Sequence, residues 1–110
     1  MHLSIDGRNI ALDKDGYLVN LNEWTPGIAA QLAEQENIVL TPEHWEIISL
    51  LQSFYSEFQI SPAMRALVKY TEKQLGAEKG KSIYLLSLFP PSPAKIASKI
   101  AGLPRPTNCL

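Results

Sequence analysis

A serine or threonine stands directly before a proline at four places in this chain: Thr25-Pro26, Thr41-Pro42, Ser61-Pro62 and Ser92-Pro93. Each pair is a helix-start signal. The hydroxyl can accept from an unpaired amide of the first turn, and proline at the first helical position lacks an N–H that would have no partner there. Four such starts between residues 25 and 93 leave room for little besides a helical body. They also account for four of the eight prolines, a number that would otherwise suggest disorder in 110 residues.

Between the starts, apolar residues keep helical spacing. Residues 42–58 place Trp45, Ile48, Leu51, Tyr55 and Phe58 on one face, widened by Ile47, Leu50 and Phe54, which predicts the central core helix. Residues 62–75 would bury Met64, Leu67, Val68 and Thr71 and carry Arg65, Lys69 and Lys73 on the opposite face, until Gly76 ends the helix. A short apolar helix over 82–88, stopped by Pro90-Pro91, and a last one over 93–101, ended by Gly102, complete the set.

Ahead of the helices, Leu3, Ile5, Ile10, Leu12, Tyr17 and Val19 are set around the turn sequences Asp6-Gly7-Arg8 and Asp13-Lys14-Asp15-Gly16. That is a hairpin pattern with room for a short third strand, too small to stand without helices to pack on. The expected fold is mainly α (α+β). A hairpin over 1–20 packs on a helical, helix-turn-helix-like core over 25–101, residues 1–101 form one domain, and residues 102–110 form a flexible C-terminal arm.

Length and a 45% hydrophobic content suit one compact core. No stretch approaches the length of a membrane span, and Met1-His2-Leu3-Ser4-Ile5-Asp6 has no signal-peptide character, so a cytoplasmic protein without membrane contact is expected. A single cysteine excludes an intrachain disulfide and a cysteine-cluster zinc site, and His2 and His44 have no ligand spacing. No metal and no cofactor are expected. Signatures of a nucleophile elbow, a P-loop or a dinucleotide fold are absent from the sequence. Covalent chemistry, if the chain performs any, falls to the thiol.

Charge is divided along the chain. Residues 1–61 hold nine acids against Arg8 and Lys14, net −7, whereas residues 62–110 hold eight bases against Glu72 and Glu78, net +6. Such a split can steer an anionic protein or RNA, and it also fits two ordinary solvated faces. The turn around Gln59-Ile60-Ser61 permits a regulatory helix-turn-helix module, with residues 62–75 as a recognition helix bearing Arg65, Lys69 and Lys73. The acidic first helix of that pair, with Glu43, Glu46 and Glu57, suits plain packing better.

The last nine residues, from Gly102 to Leu110, contain Pro104 and Pro106 and little apolar mass. They suit an extended arm. At about 3.1 Å per residue in polyproline geometry, Cys109 would stand roughly 20 Å from the end of the last helix. A thiol so placed is either incidental at a frayed end or a reactive group presented to another protein, and spacing alone leaves both open. Arg105, and Lys95 or Lys99 if the arm folds back, would favour the thiolate; the terminal carboxylate would oppose it.

The segment Leu88-Phe89-Pro90-Pro91-Ser92-Pro93-Ala94-Lys95, with Ala97, Lys99, Ala101-Gly102-Leu103-Pro104-Arg105-Pro106 and Cys109, resembles the DsrC/TusE family of sulfur-trafficking proteins. Gly16-Tyr17-Leu18, Leu40-Thr41-Pro42-Glu43-His44-Trp45, and Ser61-Pro62-Ala63 with Arg65, Leu67, Val68 and Lys69 extend the resemblance over nearly the whole chain. Ser92 and Arg105 depart from the more usual glycine and lysine but keep a helix start and a positive charge. The resemblance implies that Cys109 carries a persulfide.

Members active in sulfite reduction have a second cysteine at the position held here by Ser98. Its absence points away from a DsrC-like partner of sulfite reductase and toward the TusE branch. That branch implies a relay in which Cys109 accepts sulfur from a TusBCD-like donor complex and works with a tRNA 2-thiouridylase and its bound tRNA to thiolate the wobble uridine. From the charge split, the expected docking surface comprises Arg65, Lys69, Lys73, Lys95, Lys99 and Arg105.

Overall fold

Asp6 and Gly7 both adopt positive φ, 50° and 76°. A two-residue turn of that kind matches the right-handed twist of the strands it joins. It closes β1 (His2–Ile5) onto β2 (Arg8–Ala11) with Leu3 opposite Ile10, and both of these side chains are buried. The expected third strand is reduced to one bridge between Leu12 and Leu18. Asp13 explains the reduction: its Oδ1 accepts from the amides of Asp15 and Tyr17, folding the chain into a turn instead of an extended segment.

The computed structural model describes residues 1–107. After a single 3-10 turn over Leu21–Glu23 come α1 (Pro26–Gln35), α2 (Pro42–Phe58), α3 (Met64–Leu75), α4 (Ser82–Leu88) and α5 (Pro93–Ile100). The fold is thus mainly α with a small antiparallel hairpin, as expected.

The four Ser/Thr-Pro pairs do not all act alike. Thr25 Oγ1 accepts from the Ile28 amide at 3.2 Å, and Thr41 Oγ1 accepts from the His44 amide at 3.4 Å, both as N-caps. Ser92 makes no cap bond, although Pro93 does open α5. Ser61 differs most. Its hydroxyl is turned to the carbonyl of Pro104, Pro62 lies buried ahead of the helix, and α3 starts two residues later than expected, at Met64, behind an Ala63 cap with no side-chain bond.

The centre of the core also moves relative to expectation. The long helix α2 buries His44, Ile47, Ile48, Leu50, Leu51 and Phe54, but Trp45 and Tyr55 are only half-buried and Phe58 is 48% exposed. The helix that all the others meet is the eight-residue α5, which packs against α1, α2, α3 and α4. Its sequence explains this: Ala94, Ala97 and Ser98 are small enough to let four neighbours approach closely, and Ile96 and Ile100 fill the space between them. On α3, Leu67 and Thr71 are buried while Met64 and Val68 are only partly covered.

Among the described residues no helix is long and apolar enough to cross a membrane.

Candidate functional site

The chain leaves α5 through a helix-ending motif that its sequence encodes. Gly102 takes φ +77°, its amide donates to the Lys99 carbonyl at 3.1 Å, and the Leu103 amide donates to the Ser98 carbonyl at 2.9 Å. These two bonds, with Leu103 buried behind them, form a Schellman cap. The remaining end carbonyls are satisfied from outside the helix: Trp24 Nε1 donates to Ile100 at 2.9 Å and Gln52 Nε2 donates to Ala101 at 3.1 Å.

Beyond the cap the chain stays on the body. Ser61 Oγ donates to the Pro104 carbonyl at 2.5 Å, Pro106 is buried, and Arg105 Nη1 meets Asp15 Oδ2 at 3.3 Å. The ion pair is half-exposed on both sides and contributes little; the hydroxyl bond and the burial of Leu103 and Pro106 are the stronger restraints. Residues 102–106, expected to belong to a flexible arm, are therefore seated on the body. Cys109, the thiol expected to carry the chemistry, lies outside the described residues, together with Asn108 and Leu110.

The six cations expected to form one docking face fall into two groups. Arg65, Lys69 and Lys73 run along the exposed side of α3, and none of them is in an ion pair among the described residues. Lys99 and Arg105 bring their charges instead to the 13–17 turn, where Lys95 contributes only its backbone carbonyl. The Lys95 carbonyl accepts from Tyr17 Oη at 3.0 Å, and Lys99 Nζ pairs with Glu36 at 3.2 Å while lying 5.3 Å from the Tyr17 ring centre. Lys99 is thus engaged in holding α5 to α1 and the turn.

Two polar side chains were not marked by the sequence as structural. His44 is buried with both ring nitrogens used: Nε2 lies 2.7 Å from the Leu88 carbonyl, and Nδ1 lies 3.1 Å from the Thr41 amide and 2.7 Å from the Thr41 hydroxyl. Because a carbonyl only accepts, the proton sits on Nε2 and Nδ1 accepts from Thr41. Ser98 has a buried hydroxyl with no hydrogen-bond partner among the described residues. Trp24 and Gln52, which hold the end of α5, and Ser61, which holds the segment after it, carry no local signal of those roles; Ser61 in particular sits in a helix-start pair.

These features define a class: a small helical domain with an N-terminal hairpin, whose C-terminal segment is anchored beside its last helix and leads to one thiol. A family model described as "DsrC like protein" matches residues 4–110. The chain belongs to that family. It is 51% identical over 108 residues to "Sulfurtransferase TusE" of Pectobacterium atrosepticum, covering 98% of this chain and 99% of that one. Its fold superposes on the NMR structure of Allochromatium vinosum DsrC with TM-score 0.89 and 53% identity over the whole of both chains. The oxidized gamma-subunit of the dissimilatory sulfite reductase (DsrC) from Archaeoglobus fulgidus also matches throughout, with TM-score 0.85 and 37% identity.

Proposed function

We propose that this chain is a sulfurtransferase that carries persulfide sulfur on Cys109 and hands it on for 2-thiolation of the wobble uridine of tRNA. The observation that carries this reading is the single cysteine of the chain, at position 109, in a protein half identical to a TusE sulfurtransferase over nearly its full length. With Ser98 in place of a second thiol, no internal disulfide or trisulfide can form. Sulfur taken up must leave to another molecule.

The chemistry asks for access more than for a pocket. The Cys109 thiolate attacks the outer sulfur of a donor persulfide; a new S–S bond forms as the donor's S–S bond breaks, and the donor cysteine departs as its thiolate. No net oxidation occurs, and the proton first lost from Cys109 goes to solvent. A TusBCD-like complex is the proposed donor and a tRNA 2-thiouridylase with bound tRNA the proposed destination, with the chain itself acting in the cytoplasm. The exposed row of Arg65, Lys69 and Lys73 is the proposed surface for steering an anionic partner.

Intact mass tests the reading directly. After incubation with a cysteine desulfurase, cysteine and the upstream relay proteins, the wild type should gain about 32 Da, one sulfur atom, reversibly with reductant. Cys109→Ser should gain nothing. An unchanged wild-type mass with loaded upstream proteins would overturn the proposal.

A further inference from the structure

The tail is held by groups that the transfer chemistry itself does not require. Trp24 occupies the space that a side chain at position 102 would fill and donates to the Ile100 carbonyl, Ser61 holds the Pro104 carbonyl, and Leu103 and Pro106 are buried on either side of that bond. A terminus that needed only to be accessible would have no use for this anchorage. Its effect is to keep the chain on the body through Pro106.

We infer that Trp24 and Ser61 are positioning residues for sulfur transfer: by seating residues 102–106 they shorten the arm and confine the Cys109 thiol to the surface around Pro106. The inference rests on the carrier reading. Covalent geometry sets its scale. From Pro106 to Cys109 there are three chain steps, an upper span of roughly 11 Å, whereas eight steps from Ala101 would allow roughly 28 Å. A short tether raises the local concentration of the thiol at a partner's reactive sulfur docked beside the anchor, and the advantage falls about as the −3/2 power of the free length. Lengthening the segment between the anchor and Cys109 from three steps to eight therefore costs about fourfold in transfer within the docked complex. Docking itself is unaffected.

Two full-length variants test this with the persulfide-loaded TusBCD-like complex as donor. Ser61→Ala removes the hydroxyl that holds Pro104. A five-residue Gly/Ser insertion between Pro106 and Thr107 lengthens the arm and leaves the anchorage untouched, so it remains informative if Ser61→Ala fails to fold. Both should lower kcat for transfer to Cys109, the insertion by about fourfold, with KM unchanged. Ser61→Thr should restore the rate, and alkylation of Cys109 by iodoacetamide should be equal in all four proteins. In the wild type, amide order parameters at Leu103 and Arg105 should be near 0.85, the value of rigid backbone, and Ser61→Ala should lower them.

Equal transfer by the wild type and the insertion variant, faster transfer by the insertion variant, or wild-type order parameters below about 0.6 at Leu103 and Arg105 would overturn the inference alone. No transfer by the wild type would overturn the carrier reading and this inference with it.

Discussion

Trp24 stands where Gly102 would carry a side chain: a Cβ built on Gly102 overlaps the indole Cγ and Cδ1, and the same indole donates its N–H to the carbonyl of Ile100. Position 102 is therefore closed to other residues twice over, by its φ of +77° and by lack of space. Gly102→Ala should lower stability by about 2–4 kcal/mol, the sum of left-handed strain and overpacking. Urea denaturation checks this. A midpoint within error of wild type would show that the indole moves aside at no cost.

The His44 ring ties the start of α2 to the end of α4 through Thr41 and Leu88 and packs edge-on against Phe89, 5.0 Å between ring centres. His44→Leu keeps an apolar side chain in the site but strands the Thr41 amide and the Leu88 carbonyl. The expected loss is about 1–2 kcal/mol, from two part-buried groups left without protein partners. Thermal unfolding measured beside Glu43→Ala, an exposed neighbour expected to have little effect, separates this cost from a general weakening of the helix start.

What the sequence disclosed was mostly what local chemistry decides. Thr25, Thr41 and Pro93 start helices where their residue types say they should, Asp6-Gly7 turns the hairpin, and Gly102 ends α5. What it withheld depends on partners distant in the chain. The Ser61-Pro62 pair has the same local form as Thr41-Pro42, yet its hydroxyl goes to Pro104, and only the tertiary fold makes that acceptor available. The choice of α5 over α2 as the hub was hidden for a similar reason. Apolar periodicity counts large residues, whereas a helix surrounded on several sides is built from small ones such as Ala94, Ala97 and Ser98. Of the candidate site, the thiol and its basic neighbours were legible as residue types, but the seating of residues 102–106 was not, because prolines and a glycine read locally as an arm.

Gly80 marks another close approach. A Cβ there would run into the Cα, Cβ and amide nitrogen of Glu72, so the loop before α4 lies directly on the α3 backbone. Its φ lies outside the positive range, so the constraint is one of space alone. Backbone cannot swing away as a flexible side-chain tip can. Gly80→Ala should therefore cost about 1–3 kcal/mol, with the loss shared between α3 and α4 in hydrogen exchange. Gly76→Ala offers a contrast: nothing lies within 4 Å of its built Cβ, and only the φ of +102° opposes the change.

The α3 row leads to a prediction about rate rather than stability. Arg65, Lys69 and Lys73 recur at helical spacing on the exposed face, and no carboxylate pairs with them among the described residues. Their charge is available to an approaching anion. Lys69→Glu with Lys73→Glu reverses that field while leaving the buried Leu67 and Thr71 untouched, so the unfolding midpoint should change little. Association with the sulfur-donor complex should slow by about tenfold or more at low ionic strength. The difference should shrink as salt rises and the screening length falls to about 3 Å near 1 M. Stopped-flow measurement across a salt series reads both effects. A double variant that associates at the wild-type rate across the whole salt series would remove α3 from the docking surface and leave Lys95, Lys99 and Arg105 as the remaining cationic candidates.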